Sequence, residues 1–168
     1  MIEIGLQKRI ESLLKKYRNF TPIEIADDLG IKIAYIDVDD NDFSGAILKI
    51  EDGTIALFVN KNDSKNRQLF TIAHELGHFF MHTDDVLRKG IVSYRDASVY
   101  TKYNEAERKR EEEANHFAAE ILMPKKIFIE FYNEYSFMNI TDLVSKMAKF
   151  FNVSEKAIKI RMSYLDLN

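Results

Sequence analysis

The sequence predicts an α+β fold, mainly helical, with a small antiparallel or mixed sheet of three or slightly more strands and a helix-turn-helix-like C-terminal segment. Three observations lead there. Apolar residues recur at helical spacing over much of the chain, two strand-like segments flank Asp52-Gly53, and residues 141–168 read as two short capped helices. The expected division is 1–140 for the main domain and 141–168 for helices packed on it.

Taken in order, Leu6, Ile10, Leu13, Leu14 and Tyr17 mark an amphipathic first helix. Thr21-Pro22 opens a second, with Thr as N-cap and Pro in the first turn, and Gly30 stops it. Ile31, Ile33 and Tyr35 alternate as a strand. Residues 37–42 hold four aspartates and read as a solvated loop, since the spacing lacks the glycine and terminal glutamate of a calcium loop. Residues 46–51 and 54–60 pair as a hairpin about Asp52-Gly53, both of which tolerate positive φ. A helix follows from near Arg67 to near Thr83. Residues 83–104 resist assignment beyond a strand-like Ile91-Val92-Ser93-Tyr94-Arg95, and a segment of that length is either a lid or a surface excursion. Helices are expected over 105–123, ended by Pro124, and over 125–137. A helix capped by Thr141 and a last one capped by Ser154 complete the chain.

The composition narrows the chemistry. A formal charge of −3 gives no global pull towards nucleic acid. Cysteine is absent, so there are no disulfides or thiolate sites, and any metal must be held by His and carboxylate. No stretch approaches the roughly 18 consecutive apolar residues of a membrane span. The first residues lack the pattern of an export signal, so the expected location is the cytoplasm without membrane contact.

Within the 67–83 helix stands His74-Glu75-Leu76-Gly77-His78. A step of four residues stacks the two imidazoles so that both reach one metal ion, with Glu75 beside them facing a water. Leu69, Ile72, Ala73, Leu76 and Phe80 gather on one side and the histidines on nearly the opposite one, so both faces of this helix should be covered. Gly77 implies close approach of a neighbouring element. Thr71 either fixes Glu75 or bonds a backbone carbonyl.

Two imidazoles need one more protein ligand to leave a position open. The metzincin continuation would require Gly at 81 and His at 84, where this chain has Met81 and Asp84. On the 105–123 helix, Ala114, Phe117, Ala118, Ile121 and Leu122 define the buried face. Glu111 lies about 40° from its centre, whereas Glu112, Glu113, His116 and Glu120 lie about 120° or more away and read as a solvated face. A lone glutamate on an apolar face is costly unless paired or metal-bound, which makes Glu111 the third ligand. Asn115 is placed either to hydrogen-bond a ligand imidazole or to edge the core. His82 either approaches the site or satisfies the helix end.

These two helices, Phe70-Thr71-Ile72-Ala73-His74-Glu75-Leu76-Gly77-His78 and Glu111-x-x-Ala114-Asn115-x-Phe117-Ala118-Ala119-Glu120-Ile121-Leu122-Met123-Pro124, closely resemble the ImmA/IrrE family of zinc metallopeptidases. Thr21-Pro22, Ser44-Gly45, Val59-Asn60 and 151–154 extend the likeness to about residues 10–165. The resemblance implies a zincin-like metallopeptidase fold, one zinc ion on His74, His78 and Glu111, and Glu75 as catalytic base. It also implies cleavage of a helix-turn-helix transcriptional repressor in a prophage, mobile-element or stress setting. Tyr94, Arg95, Tyr100 and Tyr103 are candidate donors to the transition state. The competing reading is a metal-binding transcriptional regulator acting by DNA or protein contact without proteolysis. Residues 141–168 hold five Lys/Arg against three Asp/Glu, a net of +2, which is thin for a phosphate-binding face.

Overall fold

The structure is a computed structural model describing residues 4–18, 20–39, 42–94 and 104–167, and among these lie eight helices and four strands. Contacts divide the chain into two compact units, Met1–Ile121 and Leu122–Asn168. The division falls earlier than the boundary at residue 140 drawn from the sequence.

In the first unit, α1 (Ile4–Lys16) buries Ile10 completely. Helix α2 (Pro22–Asp28) begins in a capping box, in which Glu24 N donates to Thr21 Oγ1 and Thr21 N donates to Glu24 Oε2. Four strands follow in the spatial order β1-β3-β2-β4: β1 (Lys32–Ile36), β2 (Phe43–Lys49), β3 (Ile55–Asn60) and, later in the chain, β4 (Ile91–Tyr94). The β2–β3 hairpin is antiparallel, as read from the sequence. Strand β1 adds parallel to β3, and β4 adds antiparallel to β2.

The hairpin turn differs from the two-residue form expected at Asp52-Gly53. Only Gly53 takes positive φ, at 87°, and its N–H donates to the Ile50 carbonyl while Ile50 N donates to Thr54 O. The loop is therefore wider, with Asp52 in the ordinary half of backbone space and its carboxylate accepting from Thr54 N.

Helix α3 (Lys65–Met81) starts at Ser64, whose Oγ accepts from Arg67 N. It is buried on two sides. Ile72 and Leu76 enter a core with Ile25, Ile47, Leu57 and Val59, while His74, Glu75 and His78 are buried on the other side. Residues 83–89, which show no apolar period in the sequence, form a short helix, α4 (Thr83–Lys89), with Asp84 and Asp85 in its first turn, Arg88 and Lys89 in its last, and Val86 buried.

Helix α5 (Glu105–Leu122) passes α3 at close range. A Cβ placed on Gly77 would lie 2.9 Å from Ala114 Cα and 3.0 Å from Ala114 O. Any side chain at 77 collides with backbone rather than with a flexible tip.

The second unit holds α6 (Lys125–Glu134), α7 (Ile140–Phe151) and α8 (Glu155–Tyr164). Its core includes Phe128 and Phe151, stacked with ring centroids 5.4 Å apart. The α7 cap is Asn139, whose side chain accepts from Asp142 N, and not Thr141; the cap lies two residues earlier because Ile140 and Thr141 already have helical geometry. Asn152, at φ 53°, turns the chain into α8, which Ser154 caps. The buried Arg161 donates to the Met123 carbonyl.

Gly77→Ala is expected to lower stability by about 1–3 kcal/mol in urea unfolding, because overpacking against Ala114 exceeds the gain of about 1 kcal/mol in helix propensity. A neutral or stabilising result would contradict the close packing.

Candidate metal centre

Helix α3 presents His74 and His78 one turn apart, and the contact at Gly77 brings α5 near enough for Glu111 to face both. The two Nε2 atoms are 3.0 Å apart. Glu111 Oε2 lies 3.2 Å from His74 Nε2, and Glu111 Oε1 lies 3.2 Å from His78 Nε2. All three side chains are buried.

These distances can be tested against a metal. Tetrahedral ligands at 2.0–2.1 Å from one ion are about 3.3 Å from each other, so the cluster has nearly the spacing of one coordination shell. Its proton inventory agrees. Asn115 Oδ1 is 3.0 Å from His74 Nδ1, which draws that ring's proton to Nδ1 and turns the Nε2 lone pair inward. Glu111 Oε2, though close to His74, has no hydrogen-bond geometry with it. Lone pairs aimed at one point repel unless a cation sits among them. The residues present therefore fit a divalent ion held by two imidazoles and one carboxylate.

Glu75 is fully buried beside this cluster, and neither carboxylate oxygen has a hydrogen-bond partner among the described residues. Burial pushes its pKa up to about 7, against the opposing influence of His74 and Ser93. Glu111 behaves in the opposite sense. Burial would raise it, but contact with His74 and His78 holds it well below the ordinary carboxylate range. Burial likewise lowers His78, to about 4, and opposes the net upward shift of His74, where Glu111 and the charge of Glu75 prevail.

Other candidates fall elsewhere. His82 sits at the junction of α3 and α4, where its N–H donates to the His78 carbonyl. Its Nε2 lies 3.3 Å from Glu113 Oε2, outside the three-residue cluster. His116 and Glu120, read from the helical wheel as a solvated face, are buried at 8% and 6% exposure, and Glu113 pairs with His82 and Lys109. The wheel gives a residue's angle but not how many neighbours cover the helix. Tyr94 ends β4 with its backbone paired to Phe43. The side chain of Tyr94, and all of Arg95, Tyr100 and Tyr103, lie outside the described residues. Ser93 is not among the residues singled out by sequence pattern. It is a buried hydroxyl on the inward phase of an otherwise apolar strand, and that phase was the available signal.

Residues 26–163 match the family model described as the IrrE N-terminal-like domain, a peptidase family. The chain belongs to this family. Among IrrE N-terminal-like relatives, the metallopeptidase ImmA of Bacillus subtilis (strain 168) is 27% identical over 126 residues, covering 75% of this chain and 68% of that protein. A solved Mycobacterium tuberculosis transcriptional regulator superposes with a TM-score of 0.61 at 18% identity, over 96% of this chain and 47% of its own. This chain thus spans about half the length of that regulator, and the likeness is one of fold. As a member of the family the protein is a metallopeptidase, and a peptidase acts on protein chains. No helix among the described residues is long and apolar enough to cross a membrane.

The raised Glu75 pKa has a signed consequence for stability. In the fold the carboxyl keeps its proton up to about pH 7, whereas at the ordinary glutamate value of 4.5 it would already have released it. The stability from that protonation is complete below pH 4.5, declines as pH rises, and is lost above about 7. In metal-free protein, Glu75→Gln is therefore expected to raise urea stability over the unsubstituted chain at pH 8, by on the order of 2–3 kcal/mol. The advantage should vanish by pH 4.5. An advantage independent of pH would contradict this account.

Proposed function

We propose that the protein is a zinc-dependent endopeptidase that cleaves a helix-turn-helix transcriptional repressor in the cytoplasm. The observation that carries the reading is the convergence of His74, His78 and Glu111 at 3.0–3.2 Å beside a buried carboxylate whose oxygens are both unengaged. A two-histidine, one-glutamate donor set with no cysteine supports zinc with one position open, as in catalytic rather than structural sites.

Zinc, when bound, supplies Lewis acidity that makes a water more acidic and polarises the scissile carbonyl. The chain's own residues do the rest. Glu75 takes the proton of the attacking water on a carboxylate oxygen and passes it to the leaving amine, its two oxygens being free of other partners among the described residues. Asn115 fixes the tautomer and orientation of His74 through Nδ1. The substrate extends along β4, the outermost strand on that side of the sheet among the described residues, where main-chain hydrogen bonds give affinity without strong sequence demand. Tyr94 or Arg95, named by the sequence as candidate donors, supplies the further donor to the tetrahedral oxyanion. ImmA of Bacillus subtilis, named a metallopeptidase, supports the chemistry, and the family resemblance supports the repressor as target.

A second reading, a metal-binding regulator without proteolysis, draws on the fold shared with the mycobacterial transcriptional regulator and on the α7–α8 pair, expected to act as a segment over 141–168. The two readings separate on Glu75.

Co-expression with any helix-turn-helix repressor found in the genes flanking this one is expected to yield a discrete fragment that a chelator prevents. Glu75→Gln should abolish it, by roughly a hundredfold or more in rate, while zinc content is retained. Glu111→Ala should lose zinc on dialysis. Repressor loss that persists in Glu75→Gln would favour the regulator.

A further inference from the structure

We propose that Ser93 is a positioning residue for Glu75, its hydroxyl poised on the sheet side to take up one carboxylate oxygen and leave the other to the reacting water. The inference rests on the peptidase reading and adds to it a residue from a different element.

The placement follows from strand register. Ser93 of β4 is paired directly with Gly45 of β2, and residues opposite each other in an antiparallel pair project to the same face. The missing Cβ of Gly45 shows which face that is. Built there, it would overlap Thr71 Cγ2 and stand 3.5 Å from Glu75 Oε1, so Gly45 and Ser93 look onto α3 at the base itself. Exposure agrees with the alternation. Val92 is 42% exposed on the outer face and Ser93 is 4% exposed on the inner one.

Polar atoms gather in this crevice without satisfying one another. Thr71 Oγ1, Ser93 Oγ and both Glu75 oxygens are buried and have no hydrogen-bond partner among the described residues. Ser93 shares the inner face with Gly45, whose Cβ position is 3.5 Å from Glu75 Oε1, and no hydrogen bond joins the hydroxyl to that carboxylate in this structure. An alanine would suit a packing position better, since a buried unpaired hydroxyl is a cost without return. A hydroxyl suits a proton shuttle for a specific reason. It donates to the carboxylate and accepts from the carboxylic acid, so the contact survives both protonation states of Glu75. Thr71, on the helix itself, has a local alternative in the carbonyl one turn back, whereas Ser93 on a strand does not.

The test uses the full zinc-loaded chain with Ser93→Ala and Ser93→Thr. Ser93→Ala is expected to lower kcat for repressor cleavage by about 10- to 100-fold, with KM, zinc content and Tm unchanged, and Ser93→Thr to restore most of it. The ¹³C signal of the Glu75 δ-carboxyl, assigned by its loss in Glu75→Gln, should move in Ser93→Ala and return in Ser93→Thr. A wild-type kcat in Ser93→Ala, or a loss of zinc or Tm in step with activity, would overturn the proposal. So would an unmoved carboxyl signal, whether or not the protein proves to be a peptidase. Failure of the wild type to cleave while the signal moves would count against the function and leave the contact standing.

Discussion

The contact between Gly77 and Ala114 is the constraint on which the rest of the first unit's chemistry depends. Helix α3 accepts a glycine at its centre, at a cost of about 1 kcal/mol in propensity. In return α5 lies with Ala114 Cα only 2.9 Å from where a Cβ would stand. Backbone approach of that kind is what allows a side chain as short as glutamate to reach both imidazoles from a separate helix. Glu111 lies one turn before Ala114 and Asn115 immediately after it, so one contact sets both the carboxylate that meets Nε2 and the amide that meets Nδ1 of His74. A shift of α5 by a fraction of a bond length would loosen both together.

Within that frame two carboxylates beside the same pair of histidines, one next to them on α3 and one brought in by α5, are driven apart in acidity. Glu111 touches both rings and is held ionised, while Glu75 touches neither within hydrogen-bond range and is lifted towards neutrality by burial. Such a separation distinguishes a group that stays charged from one that exchanges a proton near neutral pH. The difference is geometric in origin. On a helix, Glu75 is rotated about 100° from His74, so it cannot share the point on which the rings converge and must face the sheet instead.

What the sequence made legible was local or periodic. His74 and His78 announce themselves by a step of four, and Glu111 by its angle on a helix whose apolar face is long enough to locate. Thr21 with Glu24, and Ser154, are caps whose partners lie three residues away. The rest depended on relations that no window contains. Helix α4 buries only Val86, so it shows no apolar period, and its charge order was the remaining clue. The parallel pairing of β1 with β3 and the addition of β4 to β2 join segments separated by the hairpin or by α3. His116 and Glu120 sit at angles that look solvent-facing on an isolated helix and are covered in the folded chain.

Ser93 illustrates the same limit and also why core and candidate site are continuous. Along the paired strands β2 and β4, Ile47 faces Ile91, and two residues further along on the same face Gly45 meets Ser93. At the first pair the inner face is apolar and Ile47 is completely buried. At the second the side chains shrink and a hydroxyl appears, because a helix that supplies Ile72 and Leu76 to the core there turns Thr71 and Glu75 towards the sheet. One sheet face thus serves two solvents, hydrocarbon at one end and a carboxylate at the other. A buried carboxyl is tolerated in this fold because the strand opposite it gives up bulk, and a larger apolar residue at either Gly45 or Ser93 would press into the space beside Glu75.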